Sequence, residues 1–210
     1  MTLYPQTPWT LQGYAVATLH LIDIERVRSL IPQALDIISV FPGKTLGGVY
    51  LSNYGSGSVL EYSELIVVAA AVTHSGKIGG WVSHIYVDNP DSVAGGREIW
   101  GLPKELAKFT WEKNSVSVQQ SDRLCTLNYN PSFSIGWKPR LGASSFSSKN
   151  SDLLSFAFEV EAQFGLANAQ LTVPTTSPFA DLITGQPWLA ISATQMQLKV
   201  AAPNILTKMH

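Results

Sequence analysis

The chain has 210 residues, 45% of them hydrophobic and 14% charged, with six Trp, seven Tyr and eight Phe. That is enough apolar material for one domain with a sizeable core, and it leaves a surplus for an oligomer contact or a greasy ligand. Fourteen basic against fifteen acidic residues give a net charge of -1 without a basic cluster, which argues against a nucleic-acid partner, and the lone Cys125 excludes an intramolecular disulfide framework and a zinc site of the Cys-pair type.

The segment MTLYPQTPW has no charged stretch leading into an apolar one. The longest apolar run, Leu65 to Val72, is far short of the about 20 residues that span a bilayer. A cytoplasmic protein of one domain over residues 1–210, without a transmembrane segment, is the expectation.

Gly13 to Ile22 alternates Tyr14, Val16, Thr18 and His20 against Ala15, Ala17, Leu19 and Leu21, the period of a strand. Asp23 is placed to cap a short helix whose Ile24, Val27, Leu30 and Ile31 share one face, ended by Pro32. KTLGGVYLSNYG, from Lys44, reads as a strand loosened by Gly47 and Gly48, with a flexible GSGS turn at 55–58.

Tyr62 to Thr73 is β-branched and alanine-rich without a polar face, so it predicts a strand covered on both sides. Glu64 at its entry shares parity with Ile66 and Val68; if that face points inward, the carboxylate does too. Gly79 to Asp88 repeats the strand pattern until Asn89-Pro90-Asp91 interrupts it.

Short strands are predicted at 108–113, 115–120 and 124–129, as in an antiparallel meander. Residues 130–152, with two prolines and GASSFSSKNS, read as a long loop or flap. Leu153 to Val173 and Leu189 to Ala201 return to alternation, with Phe156, Phe158 and Val160 sharing one side and Met196, Leu198 and Val200 another. One helical turn is expected from Pro178. Eight to ten strands without a βαβ rhythm predict a mainly β fold, an antiparallel and partly closed sheet of barrel type.

The densest chemistry lies in Gly95 to Ala107, GGREIWGLPKELA, expected as a tightly turned backbone between strands that presents Lys104. A lysine amine in an apolar setting can attack a carbonyl to form a Schiff base; a solvated lysine at a strand start is the plainer reading. Arg97 and Glu98 form a salt bridge that steadies the turn or bind a substrate carboxylate. Glu64 is the candidate proton carrier. His20, His74 and His84 lack metal-site spacing, and the glycines match neither GxGxxG nor a phosphate loop, so no metal or cofactor is expected. Trp100, with Trp81, Trp111 and Trp137, suits an apolar cavity or ordinary core packing.

GGREIWGLPKELA resembles the central motif of the acetoacetate decarboxylase family, in which a Gly-Arg-Glu run precedes the Pro-Lys that supplies the Schiff-base lysine. The resemblance runs from the first strand and IERVRSLIPQALD through Tyr62-Ser63-Glu64 to about Lys113. It implies a cone-like antiparallel β-barrel around an apolar cavity, in a homo-oligomer, with Lys104 as the imine-forming residue and Glu64 as an active-site glutamate acting on a small carbonyl compound.

Three positions depart from that pattern. Glu105 stands where the family has a second lysine, Gly13 where it has an arginine, and Val49 where it has another glutamate. PWTLQGYAVATLHLI, KTLGGVYLSNYG and ELIVVAAAV are similar to the plant and cyanobacterial branch named for neoxanthin deficiency, associated with xanthophyll metabolism. That likeness implies the alternative of a lipophilic, carotenoid-type ligand bound without Schiff-base chemistry.

Overall fold

The computed structural model describes residues 4–134 and 136–208. Strand β1 (Trp9–Asp23) leads into a single turn of helix, α1 (Ile24–Val27), continued as a 3-10 turn over Arg28–Leu30. Then follow β2 (Asp36–Ile37), β3 (Lys44–Tyr54), β4 (Tyr62–His74), β5 (Lys77–Val87), helix α2 (Pro90–Trp100) and β6 (Lys104–Leu106). The second half is β throughout: β7 (Lys108–Glu112), β8 (Ser115–Gln119), β9 (Arg123–Ser134), β10 (Arg140–Lys149), β11 (Asp152–Thr172), β12 (Leu189–Val200) and β13 (Asn204–Lys208).

Strands β10, β5, β4, β3, β1, β12 and β11 pair in succession, and β11 pairs in turn with β10, so the pairings return to their starting strand. The far half of β11 joins β9, which carries β8 and β7. One face of β1, β3 and β4 packs on this extension, with Val16, Leu51, Leu65 and Val67 in the same cluster as Val116, Val118 and Leu127. The other face looks into the circuit. That is why β4 has no polar side.

The mainly β class stands, with corrections. The sheet is mixed, because β10 runs parallel to β5 and β6 parallel to β5. Thirteen strands occur among the described residues, more than the spacing predicts. Apart from Ile135, which lies outside the described residues, most of the expected 130–152 loop is strand: serine hydroxyls do not prevent a ladder when Arg140–Lys149 can pair with Asp152–Glu161 as a hairpin. The expected helix at Pro178 is a set of turns. The Asp23 side chain makes no cap and takes Lys44 at 2.6 Å and Arg26 at 3.4 Å instead.

The largest correction concerns 90–100, a helix rather than a turned backbone. Asn89 accepts from the amides of Asp91 and Ser92 at 2.9 and 3.2 Å, Pro90 needs no partner at the first position, and Gly101 closes the helix at φ 63°.

Candidate active site

The circuit encloses a cavity of about 360 Å3. It draws Leu11, Ala15 and Ala17 from β1, Tyr50 and Tyr54 from β3, and Tyr62, Glu64, Ile66 and Val68 from β4. Phe156, Phe158, Val160 and Phe164 of β11 and Met196, Leu198 and Val200 of β12 complete much of the wall, as their alternation predicts. A bulge at Gln195, with φ 48°, shifts the parity of β12, so Ile191 and Ala193 also face inward. A larger hollow of about 460 Å3, around Gln12, Asn53, Lys138 and Gln195, is a shallow polar surface depression.

Lys104 enters the cavity from β6. Helix α2 ends in an αL cap, with left-handed Gly101 donating to Arg97 O and Leu102 to Gly96 O, each at 3.1 Å, and the chain returns so that Lys104 pairs with Ile85. Arg97 Nε donates to Lys104 O at 2.8 Å, fixing the strand from which the side chain departs. The lysine stem then crosses α2 at Gly96, where a Cβ would lie 2.4 Å from Lys104 Cδ. Gly95 serves Trp9 similarly, its absent Cβ falling 2.6 Å from the indole Cζ2. The two glycines of GGRE are thus a seat for a lysine and a tryptophan.

Lys104 is 3% and Glu64 4% exposed. Lys104 Nζ donates to Glu64 Oε1 at 2.7 Å and to Ser92 Oγ at 3.0 Å. It also stands 5.0 Å from the centre of the Tyr62 ring and 5.7 Å from that of Trp9, within cation–π range. Glu64 Oε2 accepts from Tyr54 at 3.2 Å, and the Tyr54 and Tyr50 hydroxyls are 3.1 Å apart. Burial, reinforced by Tyr50 and Glu64, holds Tyr54 well above the usual phenol range. Burial and then Glu64 do the same for Tyr62, and burial foremost raises Tyr50. All three are neutral hydroxyls through the physiological range.

Of the residues singled out from sequence, Lys104 and Glu64 meet in the cavity and Trp100 lines its wall, its ring edge-on to Trp9 at 4.9 Å and its Nε1 donating to Ala201 O at 2.8 Å. Arg97 and Glu98 do not pair with each other. Arg97 holds the Lys104 carbonyl, while Lys149 reaches both the Glu98 carboxylate, at 3.2 Å, and its backbone oxygen. Glu105 is exposed and accepts from Gln120 at 3.0 Å, facing away from the amine. Val49 lies in the cluster on the opposite face of β3, and a Cβ on Gly13 would fall 1.9 Å from Asn53 O.

Sequence reasoning missed Ser92, Tyr50, Tyr54, Tyr62 and Trp9. The tyrosines had a legible signal: 50 and 54 share one face of β3, and 62 shares parity with Glu64. Ser92 had only the Asn-Pro start of a helix to announce it.

A family model described as acetoacetate decarboxylase (ADC) matches residues 2–140. Among curated proteins, the chain is 30% identical over 120 residues to Protein NEOXANTHIN-DEFICIENT 1 of Arabidopsis thaliana, covering 57% of this chain and 42% of that protein. It is 33% identical over 107 residues to an acetoacetate decarboxylase of Burkholderia vietnamiensis, covering 51% and 39%. The match thus spans less than half the length of these curated relatives. A crystal structure of acetoacetate decarboxylase from Legionella pneumophila superposes with a TM-score of 0.76 at 14% identity, over 99% of this chain and 90% of that one. That likeness is one of fold.

Proposed function

The chain belongs to the acetoacetate decarboxylase family, and from that premise we propose that it is an imine-forming protein of lyase type in which Lys104 attacks a carbonyl carbon. The observation that carries this reading is the buried Lys104–Glu64 pair, 2.7 Å apart, on the wall of an apolar cavity.

At rest the pair holds one proton more than a neutral amine and a carboxylate. Moving that proton to Glu64 frees the amine lone pair, which adds to the carbonyl carbon. Glu64 returns the proton to the departing hydroxyl, water leaves, and a protonated imine faces the restored carboxylate. On a 3-oxo acid, the electron pair of the bond to the carboxylate carbon moves to the iminium nitrogen and carbon dioxide departs. The resulting enamine takes a proton at carbon, delivered along Tyr50, Tyr54 and Glu64, and water hydrolyses the imine. One proton is consumed per turnover, and the lysine supplies the electron sink, so no cofactor is required.

Serine at position 92 and the tyrosine ring at 62 support the reading by holding the amine in one place. The circuit of strands is read as the family's cone. A homo-oligomer in which each chain carries its own cavity is part of the proposal. The test is turnover of a panel of carbonyl compounds by the purified protein, read as carbon dioxide release from 3-oxo acids and as exchange of α-protons into deuterated water for neutral aldehydes and ketones. Turnover lost in Lys104→Ala supports the reading, and turnover unaffected by that change defeats it.

A second reading, a binder of a lipophilic, carotenoid-type ligand without covalent chemistry, is favoured by one observation: Lys104 and Glu64 are the only charged side chains lining the cavity among the described residues. Organic extraction of protein purified from a pigment-making host tests it. An extract without pigment, and no affinity for added xanthophylls, would count against it.

A further inference from the structure

We infer that the carbonyl compound this site takes is a neutral aldehyde or ketone with a long apolar body, rather than a small oxo acid. The inference rests on the imine reading and specifies its substrate. The charges in the cavity disfavour an oxo acid. Lys104 and Glu64 balance each other, and no other cation lines the cavity among the described residues. Arg97, the nearest guanidinium in the motif, is exposed and committed to Lys104 O. A substrate carboxylate would therefore be a second anion beside Glu64 in a site that holds one cation, the costly arrangement for a buried charge. A neutral carbonyl adds none. Converting the ammonium to an iminium exchanges one cation for another, so Glu64 keeps its counter-charge through the step.

The course of the apolar wall favours a long body. Strands β9 and β10 both use the same edge of β11, their described pairings reaching Gly165 from one side and Glu161 from the other, with Ser134 Oγ donating to Phe164 O at 3.5 Å between them. Apolar side chains continue outward from there on the cavity face. Leu141 is opposite Val160, Leu166 is opposite Ile191, and Phe133 is opposite Leu166. Val160 and Ile191 line the cavity, whereas Leu141, Leu166 and Phe133 are 51%, 48% and 63% exposed. A single greasy track thus runs from the lysine to the surface. It fits a molecule whose carbonyl end reaches Nζ while its tail lies across Phe164 and out over Leu141 and Leu166.

The experiment incubates the protein with butanal, octanal and dodecanal, and separately with acetoacetate and pyruvate, reduces with borohydride, and measures labelling of Lys104 by peptide mass mapping. Half-saturation should fall steeply along the aldehyde series, by about fourfold for each added methylene that is buried. The two oxo acids should label about 100-fold less well than butanal, which is close to them in length, as expected for one uncompensated buried charge. Leu166→Ser, at an exposed position that tolerates change, should raise half-saturation for dodecanal more than for butanal. Labelling that ignores chain length, or favours either oxo acid, overturns the inference and leaves the imine reading standing. No Lys104 adduct with any carbonyl overturns both.

Discussion

Gly96 lies directly beneath Lys104: a Cβ on the glycine would sit 2.4 Å from Lys104 Cδ and 2.7 Å from Cε. The absence of one methyl group on α2 therefore sets the path of the amine. Gly96→Ala should displace the lysine and cut its labelling by carbonyl and borohydride at least tenfold. Alanine improves the helix by about 0.5–1 kcal/mol, but overpacking costs about 1–3 kcal/mol, so a small net loss is expected. A thermal melt run beside the labelling assay separates a displaced amine from an unfolded protein.

The Lys104–Glu64 pair predicts a characteristic stability pattern. Removing one partner leaves an uncompensated charge at a site 3–4% exposed, and Lys104→Met or Glu64→Leu should each cost about 3–5 kcal/mol in urea melts. The double variant Lys104→Met/Glu64→Leu should recover much of that loss. Additive losses in the double variant would show that the two side chains do not compensate each other.

Tyr54 joins the pair to Tyr50 through hydroxyls at 3.2 and 3.1 Å. If protons arrive along this chain, Tyr54→Phe should slow turnover by about 10–100-fold while leaving imine trapping nearly intact. A Tyr54→Phe protein with equal losses in trapping and turnover would assign the residue to packing alone.

His20 is buried, and burial lowers its pKa below the ordinary imidazole value. The native state then binds protons less readily than the unfolded chain, so its contribution is complete above about pH 6.5 and is lost as pH falls through that value toward the native pKa. Urea melts at about pH 8 and about pH 5 should show a drop in stability that is smaller in His20→Gln than in the parent.

Much of this architecture is legible in the chain, for identifiable reasons. Alternation in β11 and β12 and the unbroken apolar run of β4 reflect direct contact with the cavity and the second core, so their inward residues can be read by parity. Glu64 is readable because Ile66 and Val68 fix its face. Helix α2 is not, since Gly95 and Gly96 depress helix propensity and are there for Trp9 and Lys104, which arrive from elsewhere in the chain. β10 is hidden because its ladder depends on β11 and β5 rather than on its serine-rich composition. The direction of Glu105 depends likewise on the pairing of β6 with β5, and Glu105→Lys should alter Lys104 labelling by no more than about twofold.

The central claim is that Lys104 is a nucleophile, and trapping tests it most directly. The folded protein is mixed with a long-chain aldehyde, reduced with borohydride and digested, and every lysine peptide is weighed. The account predicts one dominant saturable adduct on Lys104, absent from Lys104→Met and slowed in Glu64→Gln. An unmodified Lys104 peptide, with adducts only on exposed lysines such as Lys77 and Lys108, would contradict it.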